Sequence, residues 1–192
     1  IKGALAYPVV MVVVGFAAVF ALLTFVMPRI LVPLLLTAAL CASEAREAVL
    51  ATIDRVIVPT FAAAVTAAER LAEATRTLAA SGDADALVAV RAAYAGAKDA
   101  WERAEALCLG PASLQRFRVD FWPTRSATIA RAIAGAGPLD PAAVAAMGSA
   151  AKGFPALDWL LFDGAEADLL ADARRRAHAA AAAAALLEDL TT

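Results

Sequence analysis

The chain has 192 residues, enough for one domain with a sizeable core or for a membrane segment followed by a small domain. Its formal net charge is −2 at pH 7, so composition gives no electrostatic support for binding to nucleic acid. The sequence is 62% hydrophobic, through an apolar N-terminal stretch and an alanine-rich remainder. Because alanine favours helix, the remainder is predicted to be all-helical. Cys41 and Cys108 stand far apart, which excludes a CxxC motif and a disulfide framework.

The N-terminal stretch carries no charge between Lys2 and Arg29, a length sufficient for a transmembrane helix. Ala4–Pro8 reads ALAYP and Leu22–Arg29 reads LLTFVMPR, with an apolar run between them. This pattern resembles the first membrane segment of the inner-membrane platform proteins of type II secretion and type IV pilus systems. We therefore expect residues 1–26 to be a transmembrane-like segment, foreign or fused to the rest of the chain.

A second uncharged run, residues 30–43, is short for a membrane span and has the length of a signal-peptide core. Read from Met27, a basic start and an apolar core precede a group of small residues. Ser43 and Ala45 fit the −3 and −1 positions of a signal-peptidase site. Residues 27–45 are therefore predicted to be a signal-peptide-like segment, and the alternative is an anchor that stays in the membrane.

The rest of the chain shows the periodicity of amphipathic helices. A first long helix is predicted because apolar residues recur at three- and four-residue steps, namely at Ile53, Ile57, Phe61, Ala64, Ala68, Leu71, Thr75 and Leu78. Pro59 is expected to kink this helix or to start a new one. A turn follows at residues 81–87, with Asp83 or Asp85 as the N-cap of the next helix.

Later helices are marked by caps, prolines and glycines. We expect them at about Ala84–Leu109, at Ser126–Ala134, from Pro141 to about Ala151 with Asp140 as N-cap, and from about Ala165 to the end. Short loops between such helices predict an all-α fold, an up-and-down helical bundle over residues 46–192, preceded by the hydrophobic membrane or signal segment. We expect this bundle to be truncated at its C-terminus.

Two segments concentrate the residue types that carry chemistry. The first, FRVDFWPTR at residues 117–125, groups Arg118, Asp120 and Trp122 around the helix-breaking Pro123. These residues form either a packing corner with a structural ion pair or one side of a ligand site.

The second segment, KGFPALDWLLF at residues 152–162, places Gly153 and Pro155 at a helix start. Asp158 follows one turn later, where a carboxylate can stabilise the helix N-terminus through the helix dipole. The functional alternative is a carboxylate directed into the bundle as a ligand or metal contact.

These two segments resemble the imelysin family, helical bacterial proteins of the periplasm or outer membrane that include insulin-cleaving metallopeptidases. The family motif is Gly-x-His-x-x-Glu followed by an aromatic or apolar residue and Leu-Leu. Here Gly153 is retained, Pro155 replaces the histidine and Asp158 replaces the glutamate. Similarity to one branch of the family extends to Trp101, Gly110–Pro111 and Arg118–Pro123.

The resemblance implies a link to iron or another metal ion, with Asp158 as the candidate metal contact. Pro155 offers no ligand atom, and the chain contains no HExxH motif, so the set of three protein ligands typical of catalytic zinc is not expected. His178 is the single histidine and is expected to face solvent on the last helix.

Together these features predict an exported, non-catalytic, imelysin-like binding protein linked to iron or metal uptake. The candidate ligand-binding residues are Trp101, Arg118, Asp120, Trp122, Gly153, Pro155 and Asp158. Four of them, Arg118, Asp120, Trp122 and Asp158, are expected to share one polar pocket, since buried Arg and Asp should pair.

We expect the protein in the periplasm or at the outer membrane, or in the membrane if the N-terminal segment is retained. The expected partners are the membrane, a small ligand or metal ion, and a second copy of the chain through an exposed bundle face, but no nucleic acid. Two alternatives remain: a metallopeptidase of the insulin-cleaving type, and a membrane-anchored component of a secretion platform.

Overall fold

The computed structural model describes Phe16, Phe20, Thr24, residues 27–110 and residues 112–192. These residues form helices and connecting loops without a strand, which confirms the all-α bundle. The predicted transmembrane segment, residues 1–26, lies outside the described residues except at those three positions. By its internal contacts the chain divides into two units, Ile1–Ile53 and Asp54–Thr192.

The first unit contains helix α1, Met27–Thr52. Apolar side chains of α1 are exposed, namely those of Met27, Leu31, Val32, Leu35, Leu36, Val49 and Leu50. Among the described residues, the helical stretch Cys41–Ser81 is long and apolar enough to cross a membrane by length and composition alone. Core helices and signal sequences share that property, so the membrane anchor and the leader peptide at residues 27–45 stay predictions.

A π-helical turn, Ile53–Ile57, precedes the bundle. The bundle contains α2 (Val58–Ser81), α3 (Ala84–Glu105), α4 (Ala112–Val119), α5 (Ser126–Ala134), α6 (Pro141–Ala145), a 3-10 turn (Ser149–Ala151), α7 (Gly153–Phe162), α8 (Glu166–Ala171) and α9 (Ala173–Thr191).

Side-chain caps set several of these boundaries. Asp83 accepts a hydrogen bond from the Ala86 amide at 2.7 Å and starts α3, and Asp140 does the same for the Ala143 amide at 2.7 Å and starts α6. Such caps satisfy amides that have no partner inside the helix. Asp140 was predicted as an N-cap, and Asp83 was one of two candidates.

Three predicted helices differ from the structure. The helix expected at about Ala84–Leu109 ends at Glu105. The helix expected from Pro141 to Ala151 ends at Ala145, and a 3-10 turn follows Gly148, whose φ is +83°. The helix expected from Ala165 is divided into α8 and α9 at Asp172. The Asp172 carboxylate caps α9 by accepting from the amides of Arg174 and Arg175 at 2.9 and 3.0 Å, which requires a non-helical backbone at Asp172.

The core of the bundle lies where α9 packs against α2, α6 and α7, and where α2 pairs with α3. The predicted stripe on α2 is buried from Ala64 to Leu78, whereas Ile53 is 37% exposed. The facing side of α9 consists mainly of alanines, and small side chains let helices approach closely.

His178 does not face solvent, so that prediction is wrong. It lies on the buried side of α9 with 0% exposure, and neither ring nitrogen has a hydrogen-bond partner in the part of the chain that the structure describes. Burial, and then the positive charge of Arg174, lower the pKa of His178. The register of α9 against its neighbours decided this placement, and one histidine in a poly-alanine run does not reveal that register.

Candidate ligand-binding site

Asp158 on α7 lies between two adjoining surface pockets and lines both. The first, here called the Asp158 pocket, has a volume of about 410 Å³ and is also lined by Trp122, Pro123, Thr124, Ser126, Pro155, Trp159, Phe162 and Asp163. The second, here called the Tyr94 pocket, measures about 380 Å³ and is also lined by Tyr94, Ala95, Lys98, Asp99, Glu102 and Phe162.

The loop between α4 and α5 supplies one wall of the Asp158 pocket. Helix α4 ends at Val119, and the chain turns through Asp120 and Trp122 before α5 begins at Ser126. The indole Nε1 of Trp122 donates a hydrogen bond to Asp120 Oδ1 at 2.9 Å, which holds the ring in place. Trp122 is 56% exposed, so it serves as a pocket wall and not as a core anchor.

The start of α7 supplies another part of the lining. Gly153 has φ +70°, and a Cβ added there would lie 2.1 Å from the carbonyl oxygen of Val119. Only glycine allows this close approach of α7 to the end of α4. The contact brings Asp158 and Trp122 to the same pocket, while Pro155, buried in the first turn, contributes an apolar surface.

A polar network joins the two pockets. Lys98 pairs with Asp120 and lies 3.7 Å from Glu102, so one ammonium group serves two carboxylates. The hydroxyl of Tyr94 lies 3.4 Å from Asp158 Oδ1. Burial, and then the negative charges of Asp158, Asp120 and Glu102, raise the pKa of Tyr94, which therefore stays a neutral hydrogen-bond donor.

The carboxylate of Asp158 has no cationic partner among the described residues. Among the described residues, no lysine, arginine or histidine forms a salt bridge with Asp158 or Asp163. Its contact with Tyr94 is long for a hydrogen bond. Asp158 is thus a half-buried anion that has capacity for a partner from outside the chain.

The structure does not bring Arg118 to this pocket. Its guanidinium lies 2.8 Å from Asp189, which also pairs with Lys152 at 2.5 Å. The side chains of Lys152 and Asp189 are 5% and 6% exposed, so this is a nearly buried ion-pair network at the end of α9. Trp101 is 2% exposed and lines a separate pocket of about 230 Å³ beside Asp189.

The seven predicted site residues therefore divide into three groups. Trp122, Pro155 and Asp158 line one pocket, and Asp120 and Gly153 hold its walls. Arg118 and Trp101 belong to the region around Asp189. Sequence reasoning missed other members of the site, which are Tyr94, Lys98, Trp159, Phe162 and Asp163. Trp159 and Phe162 stand in the segment at residues 152–162 that the sequence analysis singled out, whereas Tyr94, Lys98 and Asp163 lie outside both segments.

The donor set does not fit a metal centre built by the protein alone. Within the part of the chain that the structure describes, no group of three or more His, Cys, Asp or Glu side chains could hold a metal ion. The Asp158 pocket has two carboxylates, whereas a zinc site generally uses three or four protein ligands.

The family is shown by comparison with known proteins. The imelysin family model matches residues 57–192, so the chain belongs to the imelysin family, as the motif at Gly153 to Leu161 predicted. Among curated proteins, the chain is 32% identical over 119 residues to Iron-regulated protein A of Synechococcus elongatus. That match covers 61% of this chain and 32% of the relative, so the chain spans about a third of that protein's length. No solved structure matches the chain.

Proposed function

We propose that this chain is an exported, non-catalytic binding protein of the imelysin family that serves iron uptake, with its ligand bound in the Asp158 pocket. The observation that carries the proposal is the carboxylate of Asp158, which faces a cavity of about 410 Å³ without a cationic partner among the described residues. A pocket with apolar walls and a few polar groups is the usual form of a small-ligand site.

The iron link rests on the relative's printed name, Iron-regulated protein A, and on the family motif that surrounds Asp158. Export rests on the leader-like residues 27–45. The mature N-terminus after expression in a Gram-negative host tests export directly. An end near Ser43 or Arg46 supports it, whereas an intact chain in the membrane fraction favours the secretion-platform alternative.

A non-catalytic role is supported by the side chains at the motif. Pro155 stands where the family has histidine and offers no donor atom, and His178 is buried on α9. The metallopeptidase alternative makes a clear counter-prediction. Incubation of the purified full chain with insulin B chain should leave the peptide intact, and cleavage that a chelator abolishes would refute the non-catalytic role.

The function is tested by substituting Asp158 in the native host. Asp158→Asn keeps the shape of the side chain and removes its charge. Glu69→Gln makes the same change at an exposed carboxylate that has no salt bridge among the described residues. In iron-depleted medium, the Asp158→Asn strain should grow like a deletion strain and the Glu69→Gln strain like the wild type, at equal protein levels.

Wild-type growth of the Asp158→Asn strain under iron depletion would refute the proposed role of this pocket. Equal loss of growth in both variants would also count against it, because a general effect of removing a carboxylate would then explain the result. Growth in iron-replete medium is the internal control, since all four strains (wild type, deletion, Asp158→Asn and Glu69→Gln) should grow alike there.

A further inference from the structure

The Asp158 pocket carries negative charge. Of the described residues, those that line it include the carboxylates of Asp158 and Asp163 and no lysine, arginine or histidine. Two neighbouring cations have partners: Lys98 pairs with Asp120, and Arg175 donates to the main-chain carbonyls of Asp163, of Trp159 at 3.0 Å and of Leu160 at 2.9 Å. Arg125, between Thr124 and Ser126 in the chain, is exposed, and none of the three cations forms a salt bridge with Asp158 or Asp163 among the described residues. A ligand that enters this pocket therefore meets uncompensated carboxylates, which attract a cation and repel an anion.

Aromatic rings form much of the remaining wall. Two of them already attract a cation to one face, since Arg175 lies 5.2 Å from the ring of Trp159 and Arg91 lies 5.4 Å from that of Phe162. Trp122 has no such partner among the described residues, and its ring is largely exposed and oriented by Asp120. Tryptophan is the aromatic side chain that binds cations most strongly.

Two residues with hydroxyl groups also line the Asp158 pocket. Thr124 lines the pocket, and its buried Oγ1 atom has no hydrogen-bond partner among the described residues. Ser126 brings a second hydroxyl to the same lining. Both oxygens can accept a hydrogen bond.

We infer that the Asp158 pocket binds the primary ammonium group of a small organic cation, with Asp158 as counter-ion and the face of Trp122 as its aromatic wall. A primary ammonium group has three hydrogen-bond donors, which match the carboxylate and hydroxyl acceptors of this lining. A bare metal ion would lack a third protein ligand, and an anionic iron chelate would meet the wrong charge. This inference rests on the proposed function and names the ligand class of the same site.

The test compares two probes of nearly equal size. The full chain, purified in mild detergent, is titrated calorimetrically at pH 7.4 with n-butylammonium chloride and with the neutral 1-butanol. We expect saturable binding of butylammonium, at least about tenfold tighter than any binding of butanol, because hydrogen bonds to a charged group contribute more than neutral ones. Asp158→Asn should weaken the binding of butylammonium about tenfold or more, and Glu69→Gln should leave this affinity unchanged.

A second variant keeps the test decisive if Asp158→Asn does not fold. Trp122→Leu removes an exposed ring. It should weaken the binding of butylammonium by about three- to tenfold and have little effect on the binding of butanol. Circular dichroism verifies the fold of each variant.

Equal affinity for the amine and the alcohol would overturn the inference, as would wild-type amine binding by a folded Asp158→Asn variant. The ligand would instead be a metal ion if ferrous ion alone bound saturably, if this binding were lost in Asp158→Asn, and if ferrous ion prevented butylammonium from binding. The iron-depletion phenotype separates this failure from failure of the function. If the amine does not bind but the Asp158→Asn strain still fails without iron, the proposed function stands and only the ligand class is wrong.

Discussion

Gly153 offers the sharpest test of the geometry that forms the pocket. It opens α7 at φ +70°, and an added Cβ would lie 2.1 Å from the Val119 carbonyl oxygen and 2.8 Å from its carbon. The obstacle is backbone, so a rotamer change cannot relieve it. Gly153→Ala must therefore move the start of α7 away from the end of α4, and these two segments hold Asp158 and Trp122 in one pocket.

The expected cost has two parts. A left-handed backbone costs a residue with a Cβ about 1–2 kcal/mol. The overlap with Val119 forces a backbone shift in a packed region, which costs about 1–3 kcal/mol more. Gly148→Ala is the matched control, because Gly148 has φ +83° and a Cβ there would meet nothing within 4 Å. Gly148→Ala should therefore show only the cost of the left-handed backbone.

Thermal unfolding of the full chain, followed by far-ultraviolet circular dichroism, measures both variants. For a chain of this size each kcal/mol lowers the midpoint by about 2–4 °C, so Gly153→Ala should unfold at least about 2 °C below Gly148→Ala. Gly153→Ala should also weaken butylammonium binding, and Gly148→Ala should not. Equal midpoints for the two variants would show that the close approach of α7 to α4 does not exist.

Two further predictions concern buried charge. Asp189→Ala leaves the nearly buried Lys152 without its carboxylate and should lower the free energy of unfolding by about 3–5 kcal/mol. Glu73→Ala, in an exposed pair, should lower it by about 1 kcal/mol or less. Similar unfolding midpoints for the two variants would contradict this prediction. The pKa of His178 is lowered in the folded state, so the unfolded chain binds the proton more readily. The contribution of the buried, neutral His178 to the free energy of unfolding is therefore fully present above a pH of about 6.5. Below that pH it falls by at most about 1.4 kcal/mol per pH unit. His178→Leu should flatten this dependence between pH 7.5 and 5, and an unchanged slope would refute the assignment.

Local features of the fold were predictable from the sequence. The helix at Ser126–Ala134 was predicted with the bounds that the structure shows, and so was the cap at Asp140. A cap depends on residues within one turn, and a buried face follows from a periodicity that recurs every few residues. The division of the last helix at Asp172 was missed, because a capping carboxylate inside an alanine-rich helical pattern does not reveal which of two conformations it stabilises.

The candidate site was only partly predictable. The motif at Gly153 to Asp158 and the segment from Asp120 to Trp122 were recognised as sequence features, and the structure brings residues of both, Trp122, Pro155 and Asp158, to one pocket. Lys98, 22 residues from Asp120, became its partner only when α3 packed beside the loop. Arg118 is close to that loop in the chain, yet it pairs with Asp189.

The sequence by itself determined the all-α class, most helix starts and the imelysin family, since periodicity, capping and motif identity are properties of neighbouring residues. The tertiary structure alone decided which charges meet and which side chains are buried. It turned His178 inward, gave Arg118 to Asp189 and left Asp158 without a cation among the described residues. The physical reason is that ion pairing and burial depend on the rotation of each helix against its neighbours, and residues far apart in the chain set that rotation together.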